Sequence, residues 1–121
     1  MEFAFKELKV WQKSIDFVDK VLEISENLNT SQKHYRIMEQ IESAVISISN
    51  NISEGKGRYS KKEFVQFLFI ARGSLNETVS ILNVFERRKW ISPEILNSLE
   101  NDALEIVQMI KGLINSIKGS K

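Results

Sequence analysis

Cysteine is absent from this 121-residue chain, and its absence removes disulfides, thiolate metal sites and cysteine nucleophiles together. The lack fits a reducing compartment, and a cytoplasmic location is expected. One proline and five glycines leave little material for linkers, so a single domain spanning 1–121 is expected. Histidine occurs once, as His34. A di-iron bundle needs Glu-x-x-His pairs on facing helices, yet Ser31 stands three residues before His34. No arginine precedes His34, which also argues against a helical ribonuclease built on a positioned Arg and His. There is no glycine-rich phosphate loop after a strand, no zinc-ligand spacing and no Ser-His-Asp set. Catalytic residues, metal ligands and cofactors are therefore expected to be none, the chain reads as non-enzymatic, and His34 reads as an interfacial or capping residue. No apolar run reaches membrane-spanning length, and no membrane association is expected. The opening MEFAFKELKVWQKS interleaves charges with its apolar residues, unlike a secretion signal. Charge of one sign is scarce as well: 17 basic against 16 acidic residues give +1. No global field draws the protein to nucleic acid, so any such affinity must come from local clusters.

What the sequence does contain is helical periodicity in 42% apolar content. From about 5 to 28, Leu8, Trp11, Ile15, Val18 and Leu22 recur at steps of three and four and define one face. A second row, Val10, Phe17, Val21, Ile24 and Leu28, runs beside it, more apolar surface than one seam requires. Either Thr30 or Ser31 is placed to cap a second helix over about 32–54, whose seam is His34, Met38, Ile41, Val45, Ile48 and Ile52. Gly55 and Gly57 then permit the positive backbone angles that commonly stop a helix. Ser60 with Glu63 reads as a capping box opening a third helix over about 61–88, with Phe64, Leu68, Ala71, Leu75, Thr78, Leu82 and Phe85 on its seam. Gly73 falls mid-helix, which suggests close approach by Ser43 and Ala44 of the preceding helix. Ser92-Pro93 starts a fourth helix over about 93–118, carried by Leu99, Ala103, Ile106, Ile110, Leu113 and Ile117. Four such helices joined by short turns predict an all-α, antiparallel up-down-up-down four-helix bundle.

That topology gathers the turn 55–62, GKGRYSKK, at the same end as both termini. Lys56, Arg58, Lys61 and Lys62 form a basic cluster there, and Arg87 and Arg88 form a second at the opposite end; all six are candidate phosphate contacts. Gly55-Lys56-Gly57-Arg58 could also hold an anion through its backbone amides, although helix termination is the simpler reading.

Across the chain, Leu8-x-Val10-Trp11-Gln12-Lys13, Gln40-Ile41 through Ser47-Ile48, Asn51-Ile52-x-Glu54-Gly55, Ser60-Lys61-Lys62-Glu63-Phe64 and Phe67-Leu68-x-Ile70-Ala71-Arg72-Gly73-Ser74-x-x-Glu77 occur in order. Together they resemble the bacterial 23S rRNA intervening sequence protein family. The resemblance implies a cytoplasmic four-helix bundle that assembles as a homopentamer. It also implies kinship with the accessory protein of diversity-generating retroelements, a basic pentameric barrel that binds nucleic acid and a reverse transcriptase. RNA or DNA and a protein partner such as a reverse transcriptase are thus expected partners, with a protein-binding scaffold lacking nucleic-acid affinity as the alternative. Ser49 stands where the family often has proline, so the second helix should be straighter. Glu42 stands where a basic residue is common. The surplus apolar residues Val10, Phe17, Val21, Val65, Phe69 and Val79 are expected at a subunit interface. Asn51, Glu54, Arg72 and Glu77, shared with the family's pattern, are expected to hold the second and third helices in register.

Overall fold

A computed structural model describes residues 3–119. After a 3-10 turn at Ala4–Glu7 come α1 (Lys9–Glu26), α2 (Tyr35–Lys56), α3 (Lys61–Arg87) and α4 (Pro93–Gly119), with no strand among the described residues. Each helix packs on its neighbours in chain order and α4 closes back on α1, forming a four-helix bundle. Paired positions give the directions. Ser47 meets Ser74 while Gly55 abuts Phe67. Lys13 meets Glu105 while Lys20 meets Asp102, and Asn83 bonds Glu100 while Phe69 lies under Lys118. In every pair, advancing along one helix retreats along the other, so these neighbours are antiparallel. Both the turn 57–60 and the first turn of α1 therefore lie at one pole, and the loops 27–34 and 88–92 at the other.

The helix starts differ from the expected ones for local reasons. Leu8 is extended (φ −71°, ψ 122°), which separates the N-terminal turn from α1 and sets the Phe5 ring edge-on to Trp11 at 5.0 Å. Helix α2 begins at Tyr35 with His34 as its N-cap, and that cap makes no side-chain bond. Neither Thr30 nor Ser31 caps it. The Thr30 hydroxyl instead accepts from the Gln32 amide at 3.3 Å and lies 3.1 Å from His34 Nε2. Where the sequence proposes a cap more strongly, the structure supplies one. The Ser60 Oγ accepts from the Glu63 amide at 3.1 Å and donates to Glu63 Oε1 at 3.1 Å. Ser92 Oγ accepts from the Ile95 amide, with Pro93 at the first helical position. Helix α2 runs unbroken through Ser49, whose hydroxyl donates to the Ile46 carbonyl.

The expected seams of α2, α3 and α4 form the core, with Ile41, Val45, Ile48, Ile52, Leu68, Ala71, Leu75, Leu82, Phe85, Leu99, Ile106 and Ile110 buried. Helix α1 is the exception, because its two apolar rows exchange roles. Val10, Phe17 and Val21 of the second row are buried together with Val18 of the first, whereas Trp11, Leu22, Ile24 and Leu28 are half-buried and Ile15 is exposed. Ser14 and Ser25 complete the inner row, each donating its hydroxyl to a carbonyl of α1 itself, Trp11 O and Val21 O, both at 2.7 Å. On the solvent side, α1 is tied to α4 by Lys13 and Lys20, which share Asp102. The hydrogen bond from Lys13 to Glu105, helped by the Asp102 charge, holds the Lys13 ammonium's pKa above its ordinary value.

Positive backbone angles occur at neither Gly55 nor Gly57. The φ of Gly57 is −81°, and the single non-glycine residue with positive φ among those described is Lys89, at 64°. Lys89 ends α3 in a Schellman turn, in which the Trp90 amide donates to Phe85 O at 2.8 Å and the Lys89 amide to Glu86 O at 2.8 Å. Trp90 then clamps the loop pole. Its ring stacks on His34 at 4.1 Å, tilts against Phe85 at 5.5 Å, and its carbonyl accepts from the Asn29 amide at 2.9 Å. That stack gives His34 a structural place between the two loops.

Candidate nucleic-acid interface

The pole carrying the basic cluster is shaped by a glycine. A Cβ on Gly55 would lie 2.7 Å from Phe67 Cβ and 3.0 Å from Phe64 Cδ1, so only a residue without one lets α3 press this close to the end of α2. Gly73, expected to serve as the point of close approach, has nothing within 4 Å of a built Cβ and is exposed. The small-to-small contact lies one residue on, where Ser74 Oγ meets Ser47 Oγ at 2.8 Å. Asn51 Nδ2 donates to both Ser47 O at 2.7 Å and Ser47 Oγ at 2.8 Å, so a short polar chain crosses from α2 to α3. Of the other three residues shared with the family's pattern, Glu54 pairs with Arg58 one turn on at 3.6 Å. Arg72 and Glu77 are exposed on α3, and Arg72 lies against Phe69 rather than α2.

Because Phe64 and Phe67 sit against the end of α2, the cations of the turn have ring faces to lie on. Lys56 Nζ is 5.9 Å from the centre of the Phe64 ring, and the Arg58 guanidinium carbon is 4.8 Å from that of Phe67, favourable arrangements for the ring quadrupole. The Gly57 amide donates to Ser53 O and Glu54 O, and the Arg58 amide to Gly55 O. Those two amides are consumed by the helix end, so the glycine-lysine-glycine-arginine stretch offers its charges and not a backbone cradle. Three residues further, Lys61 and Lys62 open α3 beside Lys118 of α4. With Val65, Gln66, Phe69 and Ile117 they line a depression of about 400 Å³. Phe69 remains 40% exposed, with the Arg72 guanidinium carbon 4.9 Å and Lys118 Nζ 5.5 Å from its ring centre. Tyr59, between Arg58 and Ser60, is fully exposed. Sequence reasoning passed over Tyr59 as a turn residue. An aromatic next to Arg58 and two residues before Lys61, with no seam to join, was the available signal.

Arg87 and Arg88 are exposed at the far end of α3. With 27 residues in that helix at 1.5 Å each, they lie about 40 Å from Lys61, so the six candidate cations form two separate clusters. The set expected at a subunit interface also divides. Val10, Phe17, Val21 and Val65 are buried within the protein's own core, the first three because α1 packs on both α2 and α4 and needs both faces. Phe69 is exposed and Val79 half-buried. Val79 shares a groove of about 300 Å³ with Leu75, Ala103, Leu104 and Val107, where Leu104 is 60% exposed.

No group of three or more His, Asp or Glu among the described residues is placed to hold a metal ion, and no described helix is long and apolar enough to cross a membrane. No curated protein matches the chain. Among solved structures, a crystal structure of a protein of unknown function from the S23 ribosomal protein family of Bacteroides thetaiotaomicron is similar. The identity is 30% and the TM-score 0.80, over 87% of this chain and 97% of that one. The pattern of the family described as 23S rRNA-intervening sequence protein matches residues 6–112. With the bundle described above and a match over most of its length, the chain belongs to the 23S rRNA-intervening sequence protein family.

Proposed function

We propose that this protein is a non-enzymatic, homo-oligomeric binding or accessory protein of the cytoplasm, and that its turn pole contacts nucleic-acid phosphates. The observation that carries the reading is the convergence of Lys56, Arg58, Lys61, Lys62 and Lys118 on one pole of a chain whose net charge is only +1. A nearly neutral protein gains anion affinity by placement of charge, and here the cations lie on ring faces or around a depression that keeps them at the surface. Arg87 and Arg88 supply a second, weaker contact at the other pole. Self-association uses the groove of Val79, Leu104 and Val107, since the buried valines are unavailable. That same exposed groove favours the second reading, a scaffold that binds proteins alone.

A gel-shift titration against structured RNA and duplex DNA at two salt concentrations tests the proposal. Binding should weaken with salt, and the double variant Lys56→Gln, Arg58→Gln should lower the slope of log affinity against log salt by about 1.4–1.8 for two lost phosphate contacts. Absence of binding at low salt would leave the scaffold reading.

A further inference from the structure

Both poles carry cations and an uncovered ring, Tyr35 (71% exposed) at the loop pole and Tyr59 at the turn pole, but only the turn pole sets a second exposed ring, Phe69, among cations around a depression. At the loop pole Trp90 is committed, stacked on His34 and held through both its amide and its carbonyl. At the turn pole Tyr59 is fully exposed beside Arg58, and Phe69 stands at the edge of the depression walled by Val65 and Ile117. Lysines stand at positions 61, 62 and 118 around it.

From this juxtaposition we infer that the turn pole takes unpaired nucleobases, and hence single-stranded rather than duplex nucleic acid, with Tyr59 and Phe69 as stacking surfaces. The inference rests on the nucleic-acid reading of the same pole and narrows its ligand. A duplex presents phosphates but keeps its base faces stacked inside, so it has no use for an apolar depression. A splayed single strand offers π faces at intervals along a charged backbone, which matches rings interleaved with cations. Phe69 suits this role better than a subunit contact. A nucleotide stacked on that ring brings its own phosphate to the Arg72 and Lys118 charges beside it, which an apolar protein surface would leave unpaired.

The test is fluorescence anisotropy with labelled oligouridine of about 12 nucleotides, within the span such single-strand sites cover, against a duplex RNA of equal length. Wild type should bind the single strand more tightly at equal salt. Phe69→Ala and Tyr59→Ala should each weaken single-strand binding about five- to hundredfold, whereas Phe69→Tyr and Tyr59→Phe retain it and duplex binding changes little. Sedimentation of both alanine variants should match wild type; Tyr59→Ala, at a fully exposed side chain, should also melt like wild type, and Phe69→Ala, at a ring 40% exposed, only slightly lower. Equal binding of both forms, or alanine variants no weaker than their aromatic counterparts, would overturn the inference while leaving phosphate binding intact. Dissociation of an oligomer by Phe69→Ala would assign that ring to a subunit contact and overturn it as well. Failure of both nucleic acids to bind at low salt would remove the inference together with the reading beneath it.

Discussion

Lys89 sits in the left-handed backbone region at φ 64°, where a side chain with a Cβ costs roughly 1–2 kcal/mol. The turn demands that conformation, because the Trp90 amide must reach back to Phe85 O before the chain can lay its indole on His34. Glycine would relieve the clash but would gain freedom in the unfolded chain. Lys89→Gly should therefore stabilise the protein by a net of about 0.5–1 kcal/mol, read as a higher denaturant midpoint at unchanged slope, and Lys89→Ala should give no such gain. A glycine variant no more stable than alanine would show that the turn is held in some other way. Serines make a related point. Ser14, Ser25, Ser49 and Thr78 are buried, and each returns its hydroxyl to a carbonyl of its own helix, so none of them needs a partner across the core.

At the scale of the helix, the same residue type has opposite consequences at two positions. Alanine is favoured over glycine by about 1 kcal/mol inside a helix, and at Gly73 nothing stands within 4 Å to oppose it. Gly73→Ala should stabilise by about that amount. At Gly55 the new methyl would fall 2.7 Å from Phe67 Cβ, an atom fixed to the α3 backbone. Gly55→Ala should accordingly destabilise by about 1–3 kcal/mol through overpacking. Thermal or denaturant melts of the two variants check both signs, and a stabilising Gly55→Ala would mean that α2 and α3 separate at little cost.

These positions also show what could be read in advance. The four helices, their order and the cap at Ser60 were readable because spacing and capping are local chemistry. The inner row of α1 was not. Both rows satisfy the helical period, and the row that enters the core contains Ser14 and Ser25, which break its apolar run on paper. In the folded chain those hydroxyls are satisfied locally, and of the more continuous row only Val18 is buried, with Trp11 and Leu22 half-buried and Ile15 exposed. The role of Gly55 was likewise hidden, since close approach depends on which residue of α3 arrives opposite it. The two-cluster division of charge followed from topology alone, but the exposure of Tyr59 did not.

For the whole molecule, the open question posed by the surface is what covers the groove of Val79, Leu104 and Val107. With Val10, Phe17, Val21 and Val65 taken into the core, this groove is an apolar surface through which copies would associate. Sedimentation velocity at micromolar concentration should report an oligomer, and Leu104→Glu should shift it to monomer without changing the helical signal. A monomeric wild type would remove self-association from the proposed function.

The two tryptophans have a practical consequence for such work. Trp11 lies beside Phe5 near the turn pole, and Trp90 is sandwiched at the loop pole. Replacing either indole by phenylalanine leaves a chain whose intrinsic fluorescence reports on one extremity alone. Ligand arrival at the turn should therefore perturb emission from Trp11 and spare that from Trp90, giving the protein an internal, label-free compass for which end is engaged.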